Sequence, residues 1–211
     1  MIRANVERWR AQVANELAAQ KSPVPVGFFL AVMDKESQGN PKAYRAEPAI
    51  NDGSIGLMQM LLRTAKDVGY PGTKGDAATL TGLFDPPTNI HFAARHLSGL
   101  WRQLGNAADV ASAYNGGLRR SLGYGGVYQG APYDTVLARS QTTGEPILTR
   151  TVHAGEYANQ PYVDTVLKLY TEYSGAQTLP PVVIDGSGGG GSVTALLIAL
   201  GLGGAFFLSR K

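Results

Sequence analysis

The sequence predicts a mainly helical domain carrying a long irregular segment rich in glycine and tyrosine, then a linker and one apolar C-terminal helix. Three observations predict it. Apolar residues recur at helical spacing through most of the chain up to Tyr173; strand-like patterning is confined to a single stretch; and composition changes abruptly after Tyr173. A length of 211 residues is enough for one sizeable core plus a tail.

In order along the chain, Ile2, Val6, Trp9, Val13 and Leu17 fall on one helical face, which predicts an amphipathic packing helix over 4–20. It does not read as a secretory signal, which needs a continuous apolar core of roughly 7–15 residues. A second helix, 25–36, follows "SPVP", where proline suits a helix start. Further helices are expected at 57–68, 87–104, 107–115 and 160–173, the one at 87–104 with Thr88 or Asn89 as its cap. The only β-like stretch, "PILTRTVH" at 146–153, reads as half of a small hairpin. Residues 116–155 include "GGLRRSLGYGGVYQGAPY", a segment too long for an ordinary connection, whose tyrosines suit either sugar stacking or plain loop packing.

Beyond Tyr173, "SGAQTLPPVVIDGSGGGGS" is a linker by composition, stiffened by proline and loosened by glycine. The division expected is therefore a domain at 1–173, a linker at 174–192 and a transmembrane anchor at 193–209. Residues 193–208 form an uncharged run of 16; as a helix it reaches roughly 24 Å, against about 30 Å for a bilayer core. A buried core helix would need a polar face, which this run lacks, and the polyglycine tether marks it as a separate element. The closing "SRK" favours a cytoplasmic C-terminus.

Composition excludes several kinds of chemistry. With no cysteine there is no thiol nucleophile, disulfide framework or cysteine-based zinc site. His91 and His96 are five apart, a poor fit to a helical ligand pair, so no metal and no cofactor is expected. Nineteen basic against 16 acidic residues, with no basic block, make no case for nucleic acid.

The stretch that points to chemistry is "VGFFLAVMDKESQGNP", where an apolar helix ends in Glu36 and is followed at once by residues that break helices. A carboxyl held against apolar groups has a raised pKa, because burial disfavours the charged form; Phe28, Phe29, Val32 and Met33 supply such surroundings. A glycosidase needs that property in its acid, and most pair it with a second carboxylate. Asp34 is two residues away and points to another side of the helix, while Asp52, in an expected loop, stays open as a partner.

After Glu36 come "SIGLMQM" at 54–60, "TA" at 64–65, "LFDPPTNI" at 83–90, "SAYNGG" at 112–117 and "YVDTVLKLYTEY" at 162–173. In this order and spacing the pieces resemble the soluble lytic transglycosylases, the peptidoglycan-cleaving branch of the lysozyme-like, goose-lysozyme-related fold, over most of 25–173. The resemblance implies cleavage of the bond between N-acetylmuramic acid and N-acetylglucosamine by a single glutamate. That residue first protonates the leaving oxygen and then takes a proton from the muramoyl C6 hydroxyl, which closes an anhydro ring. Carried over, Glu36 is the catalytic residue. Ser54 and Gln59 bind substrate or catalytic groups, Met58 lines the cleft, Tyr114 orients the Glu36 carboxyl with Asn115 nearby, and Tyr162 closes the site. The chain departs from the pattern in three places: "MLLR" stands where a proline precedes "TA", Ala93 and His96 stand where glycine and tyrosine are common, and 116–155 is longer than usual.

Two alternatives stay open at this stage, a hydrolytic lysozyme of goose type and a non-catalytic wall-binding structural protein of a virion. The partners expected are peptidoglycan glycan strands, a membrane through 193–209 and other virion proteins, with no nucleic acid. The context expected is a phage particle that carries the enzyme to the host periplasm and wall for entry.

Overall fold

In the computed structural model, which describes residues 2–71, 82–140 and 142–175, the domain is organised around one buried helix. That helix, α3 (Val26–Ser37), is preceded by α1 (Ala4–Glu7) and α2 (Arg10–Ala19). The single helix expected at 4–20 is thus two. The chain breaks at Arg8 and Trp9, and the Trp9 indole turns to donate to the Gly39 carbonyl at 3.3 Å.

Every residue of α3 from Gly27 to Asp34 is buried. Phe28 meets Trp101 and Tyr170 edge-on, with ring centroids 4.9 and 5.4 Å away. Burying side chains of this size stabilises the fold by about 1.5–3 kcal/mol each, which is what holds the helix in the middle of the domain. The helix stops where Gln38 (φ 55°) and Gly39 (φ 77°) turn left-handed. A β-carbon at Gly39 would lie 2.3 Å from the Asn5 carbonyl, so only glycine lets α1 pass there.

Next comes a feature the sequence did not suggest, a three-stranded antiparallel sheet of β1 (Tyr44–Glu47), β2 (Asp52–Ile55) and β3 (Met60–Leu61), with a 3-10 turn at Pro48–Ile50. Its strands are too short, and too full of glycine and charge, to show alternation. Arg45 faces Ser54 across β1 and β2, and Ile55 faces Met60 across β2 and β3. The helix expected at 57–68 shrinks accordingly to α4 (Leu62–Asp67), because Gly56 (φ 73°) and Gln59 (φ 45°) are left-handed and hold 57–61 as a turn and a strand. Asp52 caps α4 from β2, accepting from the amides of Leu62 and Arg63 at 3.0 and 3.2 Å.

Helix α5 (Pro86–Leu104) is capped by Asp85, which accepts from the Thr88 amide at 3.1 Å, and not by Thr88 or Asn89. Asn89 instead lies wholly buried and clamps three segments together. Its Oδ1 accepts from the Met58 amide, and its Nδ2 donates to the carbonyls of Ile55 and Leu83, each at 2.9 Å. After α6 (Ala107–Gly116) the irregular segment forms a 3-10 turn at Arg120–Leu122 and a hairpin of β4 (Tyr133–Arg139) and β5 (Pro146–Val152), the half read from the sequence being β5. Helix α7 (Gln160–Ser174) then packs along α3.

Behind α3 an ion pair between the buried Asp34 and the half-exposed Arg3 closes the domain. Asp34, 3% exposed, accepts from Arg3 Nε and from the Tyr173 hydroxyl, both at 2.7 Å. Among the described residues no helix is long and apolar enough to cross a membrane. The run at 193–209 and nearly all of the linker lie outside the described residues.

The clamp gives a stability prediction. Asn89→Ala removes its bonds to one buried amide and two carbonyls, at about 1–3 kcal/mol for each group left without a partner. Urea unfolding should register a loss of about 3–5 kcal/mol. A loss below about 1 kcal/mol would show that other contacts hold the Gly56–Gln59 turn.

Candidate active site

Glu36 sits in the last turn of α3, where the buried helix reaches the surface. It is only partly buried as a residue, but its carboxyl is closely surrounded and desolvation dominates its behaviour. Burial raises its pKa from 4.5 to about 7, against the opposing effects of a hydrogen bond from Tyr162 and the positive charges of Arg45 and Lys35. Near neutral pH a large fraction of the carboxyl therefore keeps its proton.

Tyr162, in the first turn of α7, donates its hydroxyl to Glu36 Oε1 at 2.5 Å. With Oε1 so engaged, Oε2 is the oxygen free to carry and release the proton. Burial, and then the neighbouring Glu36 charge, hold the Tyr162 hydroxyl well above its usual pKa, so it stays a donor. The Lys35 amino group lies over the Tyr162 ring, 5.8 Å from its centroid.

Tyr114 was expected to orient the Glu36 carboxyl. Its hydroxyl instead donates to the Met58 carbonyl at 2.7 Å, and the orienting bond comes from Tyr162. Tyr114 is nonetheless close enough to Glu36 for that charge to reinforce the rise in its own pKa, which burial chiefly causes. Met58 was expected to line the cleft. Its side chain is 0% exposed and belongs to the core, so what it offers the site is its backbone, held between Tyr114 and Asn89.

The turn at Gly56 through Gln59 is tied directly to the end of α3. Ser37 donates its hydroxyl to the Leu57 carbonyl at 2.6 Å and accepts from the Gly39 amide at 3.1 Å. A β-carbon at Gly56 would meet the Leu83 carbonyl at 2.5 Å and the Asn89 amide nitrogen at 2.6 Å, which excludes any other residue there. Gln59 folds its side chain inward to donate to the carbonyls of Ala43 and Gly56, at 3.1 and 3.2 Å, and so braces the turn in this state. Ser54 is buried and donates to Glu47 Oε1 at 3.1 Å. Asn115 is exposed at the end of α6, its Oδ1 accepting from Asn159 Nδ2 at 2.9 Å.

Both aspartates weighed as a second carboxylate have other tasks. Asp34 is locked between Arg3 and Tyr173 behind the helix, and Asp52 is committed to the amides of Gly53, Leu62 and Arg63. Residues that sequence reasoning passed over are Ser37, Asn89 and the pair Arg45–Glu47. Asn89 alone carried a visible signal. It precedes Ile90, Ala93, Ala94 and Leu97 on the apolar face of α5, where a polar side chain must find internal partners.

One protonable carboxyl, oriented by a tyrosine and flanked by two cations on a helical scaffold, is an arrangement able to serve acid–base chemistry. The comparisons with known proteins give the family. The model of the family "Transglycosylase SLT domain" matches residues 14–132, more than half of the chain, and the chain belongs to that family. The membrane-bound lytic murein transglycosylase C of Serratia proteamaculans (strain 568) is 33% identical over 109 residues, 47% of this chain and 29% of that protein, so the chain matches under a third of that relative's length. Among solved structures, an inactive mutant of lytic transglycosylase Slt from Pseudomonas aeruginosa superposes with a TM-score of 0.51 and 22% identity, covering 78% of this chain and 24% of that one. At that identity the likeness speaks for the fold alone.

The raised pKa makes Glu36 a burden on stability. Between 4.5 and about 7 the folded chain keeps a proton that the unfolded chain has released, so this contribution to stability is full below pH 4.5 and is lost as pH rises to about 7. Glu36→Gln removes the cost of the buried charge. It should raise unfolding stability at pH 8 by about 3 kcal/mol and change it little at pH 4.5. Equal effects at the two pH values, read from urea curves, would mean that the carboxyl is not strongly desolvated.

Proposed function

We propose that this chain is a lytic transglycosylase that cleaves the β-1,4 bond between N-acetylmuramic acid and N-acetylglucosamine in peptidoglycan, leaving 1,6-anhydro-muramoyl ends. The observation that carries the reading is Glu36 itself, a carboxyl with its pKa raised to about 7, with Asp34 and Asp52, the two aspartates weighed as its partner, engaged elsewhere.

In the mechanism proposed, Glu36 Oε2 gives its proton to the glycosidic oxygen as the bond to the muramoyl C1 breaks. The 2-acetamido carbonyl of the same sugar stabilises the cation that develops at C1. Lys35 and Arg45 stabilise the carboxylate left on Glu36, and Tyr162 keeps it aimed. Glu36 then takes the proton of the C6 hydroxyl while O6 bonds to C1, which closes the anhydro ring and restores the acid. No water is consumed. Asn115, exposed beside Tyr114, is assigned to the glycan, and Gln59 and Ser54 to holding the site's shape.

A hydrolase of goose type would activate water with a second carboxylate, placed roughly 6.5–9.5 Å from the acid when it inverts. The engagement of Asp34 and Asp52 supports the transglycosylase instead. The reading extends to context: a catalytic domain at 1–173, a linker at 174–192 and a membrane anchor at 193–209, carried in a phage particle to the host wall.

The test is muropeptide release with products analysed by mass. Glu36→Gln should reduce release by about 10²–10⁴-fold, while Asp34→Asn and Asp52→Asn, assayed where they are folded, keep most of it. Wild-type release should fall as pH rises through about 7, because the proton donor is lost. Products with anhydro ends support the proposal; reducing ends, heavier by one water, together with a collapse of activity in Asp52→Asn, overturn it in favour of a lysozyme.

For the domain division, a chain ended near Thr178 should stay soluble without detergent and release muropeptides at the full-length rate. Unfolding or aggregation of that protein would assign 193–208 to the core.

A further inference from the structure

Arg45 lies on β1, the edge strand of the small sheet, and its side chain is 59% exposed. Such a residue would ordinarily be a solvated surface charge. Here it is fixed: its Nε donates to Glu47 Oε1 at 2.7 Å, and its Nη2 lies 2.6 Å from the same oxygen. Glu47, 25% exposed, is fixed in turn by the buried Ser54, whose hydroxyl donates to that oxygen across the β1–β2 pairing. A guanidinium and a carboxylate satisfy each other best when two N–H groups meet two oxygens. Here a single carboxylate oxygen takes both contacts, so the Nη1 side of the guanidinium stays open to a further acceptor.

The position of this group matters as much as its state. Ala43, two residues before Arg45, is tied by Gln59 to the Gly56–Gln59 turn, which Ser37 fastens to the end of α3 next to Glu36, so the start of β1 borders the acid. The charge of Arg45 acts on the carboxyl accordingly, and Lys35 does the same from the Tyr162 side. An open planar guanidinium held at an edge strand beside a glycan-cleaving acid matches an anionic group on the strand being cleaved. The sugars of peptidoglycan are uncharged, so the anion must come from their substituents, either a carboxylate of the stem peptide or the lactyl carboxylate where no peptide is attached.

We propose that Arg45, held by Glu47 and Ser54 beside Glu36, is a specificity-determining residue that pairs with a carboxylate on the substituents of the substrate strand. This rests on the reading of the chain as a peptidoglycan-cleaving enzyme. Ser54 acts at one remove, as a positioning residue for Glu47.

The experiment uses the full chain and solubilised peptidoglycan strands in three forms: intact; stripped of peptides so that only lactyl carboxylates remain; and intact with all carboxylates converted to amides. Binding is measured with the Glu36→Gln protein, so that it does not depend on turnover, and cleavage with Glu36 present. Arg45→Ala should weaken binding to intact strands about tenfold, the equivalent of roughly 1.4 kcal/mol, and raise KM by a similar factor on top of any fall in kcat from the charge lost near Glu36. Amidation should cost the Arg45 protein the same factor and cost Arg45→Ala nothing further. Arg45→Lys, which keeps the charge but loses the fork, should recover only part of the loss. On stripped strands, a persisting effect of Arg45 assigns the lactyl carboxylate and a vanished one assigns the peptide. Losses from Arg45→Ala and from amidation that simply multiply would overturn the proposal. So would a fall in kcat at constant KM that lysine restores, because Arg45 would then act through Glu36 alone and not on the substrate strand. Coupled binding losses without any muropeptide release would leave the pairing in place and defeat the cleavage reading, and failure of every protein to bind any strand would defeat both.

Discussion

The cost of keeping a carboxyl at the end of a helix with no room for water on the helix's other sides governs the arrangement of this domain. Helix α3 is apolar around its circumference, so its length is consumed by packing and only its final turn meets the surface. The Glu36 carboxyl in that turn is desolvated by the same packing that holds the fold together. The domain then spends other residues on the consequences. Tyr162 gives the carboxyl one hydrogen bond, Lys35 and Arg45 supply distant positive charge, and Ser37 fastens the neighbouring turn so that the surroundings do not loosen and admit water. Packing and reactivity are here one property viewed at two scales.

The helical scaffold was legible in the sequence because it rests on periodicity, and α3, α5, α6 and α7 fall close to where their apolar spacing puts them. What was not legible depends on contacts between distant segments. The small sheet has strands of two to four residues, and its register is set by left-handed turns at Asn51, Gly56 and Gln59 more than by alternation. The cap of α5 moved to Asp85 because a proline pair follows it, which fits the first helical turn and leaves the aspartate free to accept. The break between α1 and α2 comes from the pull of Trp9 towards Gly39, a partner 30 residues away.

The site was legible as a set of residues and less so as a set of roles. Glu36, Tyr114 and Tyr162 do come together, yet the hydroxyl that reaches the carboxyl is that of Tyr162 and not that of Tyr114, which is turned to the Met58 carbonyl. Met58 and Ser54 stand in the motif but face inward. Part of the glycine- and tyrosine-rich segment is also turned on itself. The Arg119 guanidinium covers Tyr124 at 4.4 Å, Tyr128 and Tyr133 meet at 4.9 Å, and the Tyr133 hydroxyl donates to the Leu122 carbonyl.

The clamp of Asp34 with Arg3 and Tyr173 has a mechanical meaning. Tension applied to the chain after Ser174 enters the domain along α7 and meets, at Tyr173, the hydroxyl bond to Asp34 of the buried helix α3, which Arg3 also holds, and the bond from Arg10 to the Tyr173 carbonyl. Tyr162, at the far end of the same helix, is about 16 Å away along its axis at 1.5 Å per residue. A pull on the C-terminal side therefore loads this clamp before it reaches the hydroxyl that aims the Glu36 carboxyl.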